Sequence, residues 1–185
     1  MNNNLGLKKG TVSIVPFGTE FKRYYIEKEE KINKILSGLT YYIEHIGSTS
    51  ISNFEGKPII DIVIGIDDIQ QVEIYTRKLE KIGYISHGFL KGAGGHILSL
   101  SNNDKTTCLI HIVRYNSFKW KKYLTFRDYL NCHGQKRDSY LHEKKRLSKL
   151  YGNNREMYTK NKRSFIIKLE KESLKWNRLR YKDLQ

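Results

Sequence analysis

Apolar residues recur at helical spacing through Phe17, Phe21, Tyr24, Tyr25, Ile32, Ile35, Leu36 and Leu39, and Gly38 falls where such a helix stops. The pattern predicts a helix over 17–37. The period then changes. Thr40 to Ile46 is β-branched and aromatic and predicts a strand, which runs into the small, polar segment GSTSISNFEG, a turn or short helix. Lys57 to Ile66, KPIIDIVIGI, is the most apolar stretch of the chain and is apolar on both faces, the pattern of a central strand covered on both sides. Asp67 and Asp68 can cap a following helix whose stripe is Ile69, Val72, Leu79 and Ile82, with Gly83 as its stop. Tyr84 to Leu90 predicts a further strand. The glycine-rich link KGAGG leads from it to His96–Ser101, and Asn102–Lys105 turns that run into Thr106–Tyr115, an antiparallel hairpin. From Asn116 onward the spacing is helical, over about 117–131, 135–150 and 154–178, with breaks near Gly134 and Gly152.

The order of elements predicts an α+β fold, a mixed β-sheet flanked by helices over about 12–115, followed by a helical portion over about 116–180. A length of 185 residues with 38% hydrophobic and 29% charged content suits a single domain over 1–185. The longest apolar run falls far short of the roughly 20 residues that span a bilayer, so no membrane partner is expected. The N-terminal MNNNLGLKKG lacks the succession of charged, apolar and small residues of a secretory signal, and a cytoplasmic protein is expected. Cys108 and Cys132 have no CxxC partner, which argues against a zinc site or a disulfide framework and for reduced thiols. Charge is unevenly placed. Residues 1–113 carry 13 Lys and Arg against 12 Asp and Glu, whereas 114–185 carry 21 against 7, so nearly all of the +15 formal charge lies in the helical portion. That asymmetry favours an anionic partner, although basic helices also serve solubility alone.

Asp61 is the most informative residue. A carboxylate within an apolar central strand is costly to bury without a cation or hydrogen-bond donors, so it implies an ion pair, for which Lys57 or an Arg of the C-terminal helices is at hand, or a metal or substrate. Alternation places Ile59, Asp61 and Val63 on one face, groups His96 with Leu98 and Leu100, and groups Leu109 with His111 and Val113. Both His96 and His111 are thereby candidates for the side of Asp61, and one of Glu44 and His45 must face it too. Gly47, Ser48, Thr49 and Ser50 could offer backbone N–H groups and hydroxyls to a phosphate, although a plain turn has the same composition. Gly92–Gly95 matches no phosphate-binding glycine pattern. Trp120, Tyr123, Tyr129 and Tyr140, at helical spacing, are expected to pack helices onto the sheet rather than stack on bases.

Strand, Gly-Ser, a gap of about a dozen residues and then a strand Asp is a specific order. In EHIGSTSISNFEGKPIIDIVIGI, in FRDYL at Phe126–Leu130, in the spacing of Tyr140 and Lys144 within YLHEKKRL, and in MYTKNKRSFI at Met157–Ile166, the chain resembles the GrpB family. That family is a branch of the polymerase-β-like nucleotidyltransferase superfamily, and the resemblance covers roughly 12–178. It implies a nucleotidyltransferase-like fold in which Gly47 and Ser48 hold nucleotide phosphates and Asp61 holds Mg²⁺. The metals would activate the attacking hydroxyl during transfer of a nucleotidyl group. The pattern departs in two places: the second strand carboxylate is Val63, and the later-strand carboxylate is His111. Asp61 with Ser48 and Glu44 could then serve one Mg²⁺ brought with an NTP, while His96 and His111 would suit Mn²⁺ or Zn²⁺. Thr49, Lys57, Arg127 and Lys144 are candidate phosphate contacts, although Arg127 and Asp128 could simply pair with each other. Three readings follow. The first is a nucleotidyltransferase with Asp61, Glu44 and His111 as catalytic candidates. The second is an inactive binding protein for a nucleotide or another phosphorylated small molecule; GrpB-like domains resemble the extra domain of some dephospho-coenzyme A kinases, which adds a coenzyme A-like ligand. The third is a nucleic-acid-binding module that uses the basic helices. None of the three implies a particular oligomeric state.

Overall fold

A computed structural model describes residues 5–90 and 95–182, with side chains as far as Leu179. The chain runs β1 (Leu7–Lys8), β2 (Val15–Pro16), α1 (Thr19–Ile35), β3 (Tyr42–Ile46), β4 (Glu55–Gly56), β5 (Ile60–Ile66), α2 (Val72–Glu80), β6 (Ile85–Leu90), β7 (Gly95–Asn102), β8 (Lys105–Arg114), α3 (Phe118–Cys132), α4 (Gly134–Tyr151) and α5 (Arg155–Lys182). Single 3-10 turns lie at Ser48–Ser50 and Ile69–Gln71. The main sheet has the order β3-β5-β8-β7-β6 and is mixed, since β5 and β8 run parallel while the other neighbours are antiparallel. The α+β class and the three C-terminal helices are those the periodicity predicts.

The differences have local causes. β5 begins at Ile60 rather than Lys57, because Pro58 has no N–H and the Ile59 N–H closes a tight turn onto the Lys57 carbonyl at 2.8 Å. β1 pairs with the start of β8, and β2 with β4, so the sheet structure reaches back before residue 12. These two-residue strands are too short to show a period. The link predicted at KGAGG lies, in its residues 91–94, outside the described residues.

Alternation divides β5 between two layers. Ile60, Ile62, Ile64 and Ile66 face one side and pack with Leu98, Ile110 and Ile112 beneath Phe21, Ile32 and Leu36 and beneath Val72, Tyr75 and Leu79 of α2. This apolar layer is the larger core, and burial at about 25 cal/mol per Å² makes it the main stabilising element. The opposite face carries Asp61, Val63 and Gly65. Trp120 of α3 lies on Gly65, where a Cβ would approach its ring to 2.9 Å, and packs with Ile46, Val63 and Val113. Ser117 caps α3, its hydroxyl accepting from the Trp120 N–H at 3.3 Å. The layer over Asp61 is therefore built from α3, α4 and α5, and Tyr129, Leu130, Tyr140 and Leu169 join it to Ile51 and Phe54. Among the described residues no helix is long and apolar enough to cross a membrane.

The β7–β8 hairpin closes on Asn103 and Asp104, both at positive φ (47° and 60°), as a two-residue turn of the mirror-image kind demands. Asp104→Gly relieves the left-handed strain of a side-chain-bearing residue and completes the favoured Asn-Gly pair. It is expected to raise stability by about 0.5–1 kcal/mol in urea denaturation.

Candidate functional site

Asp61 sits on β5 opposite Ile46 of β3 and Leu109 of β8, so its carboxylate faces the helical layer. Beside it the chain leaves β3 through Gly47 at φ 73°, and a Cβ at Gly47 would collide with the Asp61 carboxylate. Glycine is therefore required twice over, for the backbone conformation and for the close approach. Over this point α3, α4 and α5 leave a cavity of about 280 Å³. Its floor is Asp61, Leu109 and His111, one wall is Gly47, Ser48 and Ile51, and Tyr123, Phe126 and Tyr140 close the other side.

Of the two histidines predicted near Asp61, the structure brings one. His111 pairs with Val63 across the sheet and faces the cavity, where its Nδ1 shares a hydrogen bond of 3.0 Å with the Tyr123 hydroxyl. His96 faces the other way. An unshifted hairpin register would set His96 opposite His111. An irregularity after Leu100 instead pairs Ser101 with Thr106 and Leu100 with Cys108, leaving Thr107 as an extra residue. One extra residue flips every later side chain, so His96 stands opposite Ile112 on the far face and stacks edgewise on Phe89. It is not brought to Asp61.

Other candidates serve as scaffold. Lys144 of α4 is 1% exposed and reaches no open phosphate position. Its ammonium donates to the Ser48 hydroxyl at 2.7 Å and to the Glu55 carbonyl at 2.9 Å, and lies 4.6 Å from the Phe54 ring centre. Burial, reinforced by Lys162 and Lys57, holds this amine well below its usual range. The Ser48 hydroxyl is thereby engaged by the scaffold. Thr49 is buried and shares a 2.9 Å hydrogen bond with His45, whose ring stacks on Tyr25 at 4.3 Å. Glu44 shares the face of Val63, but its carboxylate accepts from Arg127 at 2.7 Å. Arg127 further donates to the His45 carbonyl at 3.0 Å and to Asp128 at 2.8 Å, so of its two readings the structure gives the pair with Asp128, and Arg127 is not brought to the cavity. Trp120, Tyr129 and Tyr140 are buried packing residues, as the helical spacing predicts.

Three cations complete the cavity: Lys57 from the turn before β5, and Arg155 and Lys162 from α5. The last two were not singled out from the sequence, yet the signal was there. Arg155 and Lys162 are seven residues apart, two helical turns, and Glu170 follows on the same stripe. Lys57 and Lys162 lie 5.6 and 5.2 Å from the ring centre of the fully buried Tyr158. Among the described residues, no side-chain hydrogen bond and no ion pair within 4.0 Å ties Lys57, Asp61, Arg155 or Lys162 to a partner. Burial pushes the Asp61 carboxyl up, and Lys57, Lys162, Arg155 and Lys144 oppose that rise. Burial, with help from Lys162 and Arg155, lowers Lys57 to about 7, Asp61 resisting. Lys122 and Glu170, also lining the cavity, pair at 2.6 Å and cancel each other. The cavity therefore presents three open cations to one open carboxylate.

That donor set does not fit the Mg²⁺ that the resemblance implies. No group of three or more His, Cys, Asp or Glu able to hold a metal occurs among the described residues. The position of the second strand carboxylate, Val63, is fully buried in the apolar cluster with Trp120. Glu44 is neutralised by Arg127, and a dication at Asp61 would meet the repulsion of Lys57, Arg155 and Lys162. The chemistry offered is instead that of an anion site: ammonium and guanidinium groups in a partly dry cavity beside apolar and aromatic walls.

Comparison with known proteins agrees with the fold. The family model described as GrpB protein matches residues 11–172. The chain is 31% identical over 173 residues to "Glutamate-rich protein GrpB" of Alkalihalophilus pseudofirmus, covering 91% of this chain and 99% of the relative. It is similar to the crystal structure of conserved protein GrpB from Enterococcus faecalis at a TM-score of 0.81 and 29% identity, covering 89% of this chain and 99% of that one. A more distant likeness, TM-score 0.52 at 17% identity over 74% of this chain and 43% of the other, is to the Cid1 poly(U) polymerase with Mg 3'-dATP bound, and it concerns the fold.

Two measurements test this description. Burial lowers both His45 and His111 to about 4, with Arg127 contributing for the first and Lys119 for the second. Unfolded histidines bind protons below about 6.5, so between there and 4 the unfolded chain holds more protons. Stability should be full above that window and fall as pH drops through it, by up to about 1.4 kcal/mol per pH unit for each histidine; His111→Gln should flatten the slope measured by urea denaturation from pH 7 to 4. Lys144→Met keeps the packing on Phe54 and Tyr140 but strips Ser48 and the Glu55 carbonyl of their donor. A loss of about 1–3 kcal/mol is expected in the same assay.

Proposed function

The chain belongs to the GrpB family, and from that premise we propose that it binds a phosphorylated small molecule in the cavity over Asp61, as a binding protein built on a nucleotidyltransferase-like fold. The observation that carries this reading is the set of open cations. Lys57, Arg155 and Lys162 come from segments about a hundred residues apart, converge on one cavity, and have no hydrogen-bonded side-chain acceptor or close ion pair among the described residues. Buried or half-buried cations are costly unless something offsets their charge. One carboxylate, Asp61, offsets part of it, and an anionic ligand supplies the remainder.

The walls set the rest of the ligand. Ile51, Ile59, Leu109, Phe126 and Tyr140 give an apolar and aromatic surface next to the charged end, which suits the organic body of a nucleotide or a coenzyme A-like molecule. Two-metal nucleotidyl transfer is not supported, because the second carboxylate position is occupied by a packed valine. Fold alone does not carry function across so distant a likeness, and the reading rests on the cations of this chain.

The test is a thermal-shift panel of AMP, ATP, coenzyme A and inorganic phosphate. A ligand that binds only the folded chain stabilises it by about 2.7 kcal/mol at a hundredfold excess over Kd. A shift is expected for a phosphate-bearing compound, and it should fall by about half or more in Arg155→Ala and Lys162→Ala while their own melting remains cooperative. Shifts that persist undiminished in both variants would place binding elsewhere and contradict the reading.

A further inference from the structure

Resting on that reading, we propose that the ligand is a phosphate monoester, bound through one terminal dianionic phosphate by Lys57, Arg155 and Lys162 without any metal ion, so that the site discriminates against triphosphates. The three cations line the same cavity as Asp61.

The first argument is charge matching. With Lys122 and Glu170 cancelling each other at 2.6 Å, three cations face the single carboxylate of Asp61. A phosphate monoester carries roughly −2 at neutral pH; Arg155 and Lys162 bring two positive charges to it, and Lys57, which burial lowers to about 7, is drawn to its ammonium form by the incoming dianion and offsets Asp61. A triphosphate brings about twice that charge. Its surplus would require a counter-cation, and the cavity has one open carboxylate and no cluster of ligands among the described residues to hold one.

The second argument is geometric. A triphosphate chain needs a cradle beyond the terminal phosphate, and on this fold Gly47 and Ser48 would be that cradle. Here the Ser48 hydroxyl is already engaged, accepting from Lys144 at 2.7 Å. Lys144 itself is 1% exposed and tied to the Glu55 carbonyl, so it adds no open donor. A Cβ added at Gly56 would strike both the Lys144 ammonium and Ser48, which shows how closely that corner is filled. The third argument is space. About 280 Å³ must accommodate both the phosphate and the organic body lying against Phe126 and Ile51, a volume at the small end of ligand cavities.

Isothermal titration calorimetry on the full chain tests this with phenyl phosphate and AMP as monoester probes, inorganic phosphate as the bare headgroup, and ATP, each in excess EDTA and again in excess Mg²⁺. At least one monoester should bind about tenfold or more tighter than ATP, with affinity in EDTA equal to that in Mg²⁺, and Lys162→Ala should weaken it by about tenfold or more, the loss of one charge-assisted contact. Circular dichroism melting confirms that the variant is folded, and Lys162→Arg, which keeps the charge, should retain most of the affinity. Tighter binding of ATP than of every monoester, or loss of binding in EDTA, overturns the inference while leaving the anion-binding reading standing. Heat from none of the four probes, in either medium, overturns both.

Discussion

One acidic group governs the arrangement: the carboxyl of Asp61, placed in the middle of an otherwise apolar central strand. Ile60 and Ile62 on either side belong to the larger core, and the next residue on its own face, Val63, is fully buried. A lone carboxylate in such surroundings is tolerated only if opposite charge is brought to it. Here the charge comes from Lys57 four residues earlier, from Lys144 of α4, and from Arg155 and Lys162 of α5. Three of the 21 Lys and Arg residues of 114–185 thereby have a structural task. The helices dock through Tyr129, Leu130, Tyr140 and Leu169, cations of α5 line the space over Asp61 without pairing with it among the described residues, and the cavity is what remains.

This converts a nucleotidyltransferase-like frame into something electrostatically different. The frame supplies a mixed sheet, a Gly-Ser turn after one strand and an Asp on the next. What the chain lacks is negative charge. Val63 packs on Trp120 instead of presenting a second carboxylate, His111 is neutral and bonded to Tyr123, and Glu44 is held by Arg127. What it adds is positive charge, left open and facing the cavity. Scaffold and site are coupled through Ser48, since the hydroxyl that lines the cavity just after β3 is fixed by Lys144 from behind, and Lys144 is fixed in turn by the Glu55 carbonyl and the rings of Phe54 and Tyr140. A site on such rigid supports is preorganised, and ligand binding then loses little to ordering.

Much of this was legible in the sequence because hydrophobic period reports packing directly. The two-faced run of β5, the Asn-Asp turn of the hairpin and the three C-terminal helices all announce themselves. So does Asp61, as a charge where none is expected. The two-residue strands β1, β2 and β4 do not, because nothing periodic fits in two residues. His96 was assigned to the side of Asp61 from alternation alone, and one extra residue, Thr107, inverts the parity without leaving a mark in the local pattern. Lys144 reads as a surface lysine on a basic helix; only the fold shows it closing over Ser48. Arg155 and Lys162 were readable in principle from their seven-residue spacing, but a stripe of cations on an otherwise basic helix points inward only once the sheet beneath it has a carboxylate to meet.

The central claim is that the cavity attracts anions through its cations and does not gather metal through its carboxylate. Anomalous scattering measures both in one experiment, from crystals soaked separately with tungstate, a heavy analogue of a phosphate dianion, and with Mn²⁺. The account predicts a tungstate peak among Lys57, Arg155 and Lys162 and no Mn²⁺ peak at Asp61. A Mn²⁺ ion bound to Asp61, with no tungstate at the three cations, would contradict it.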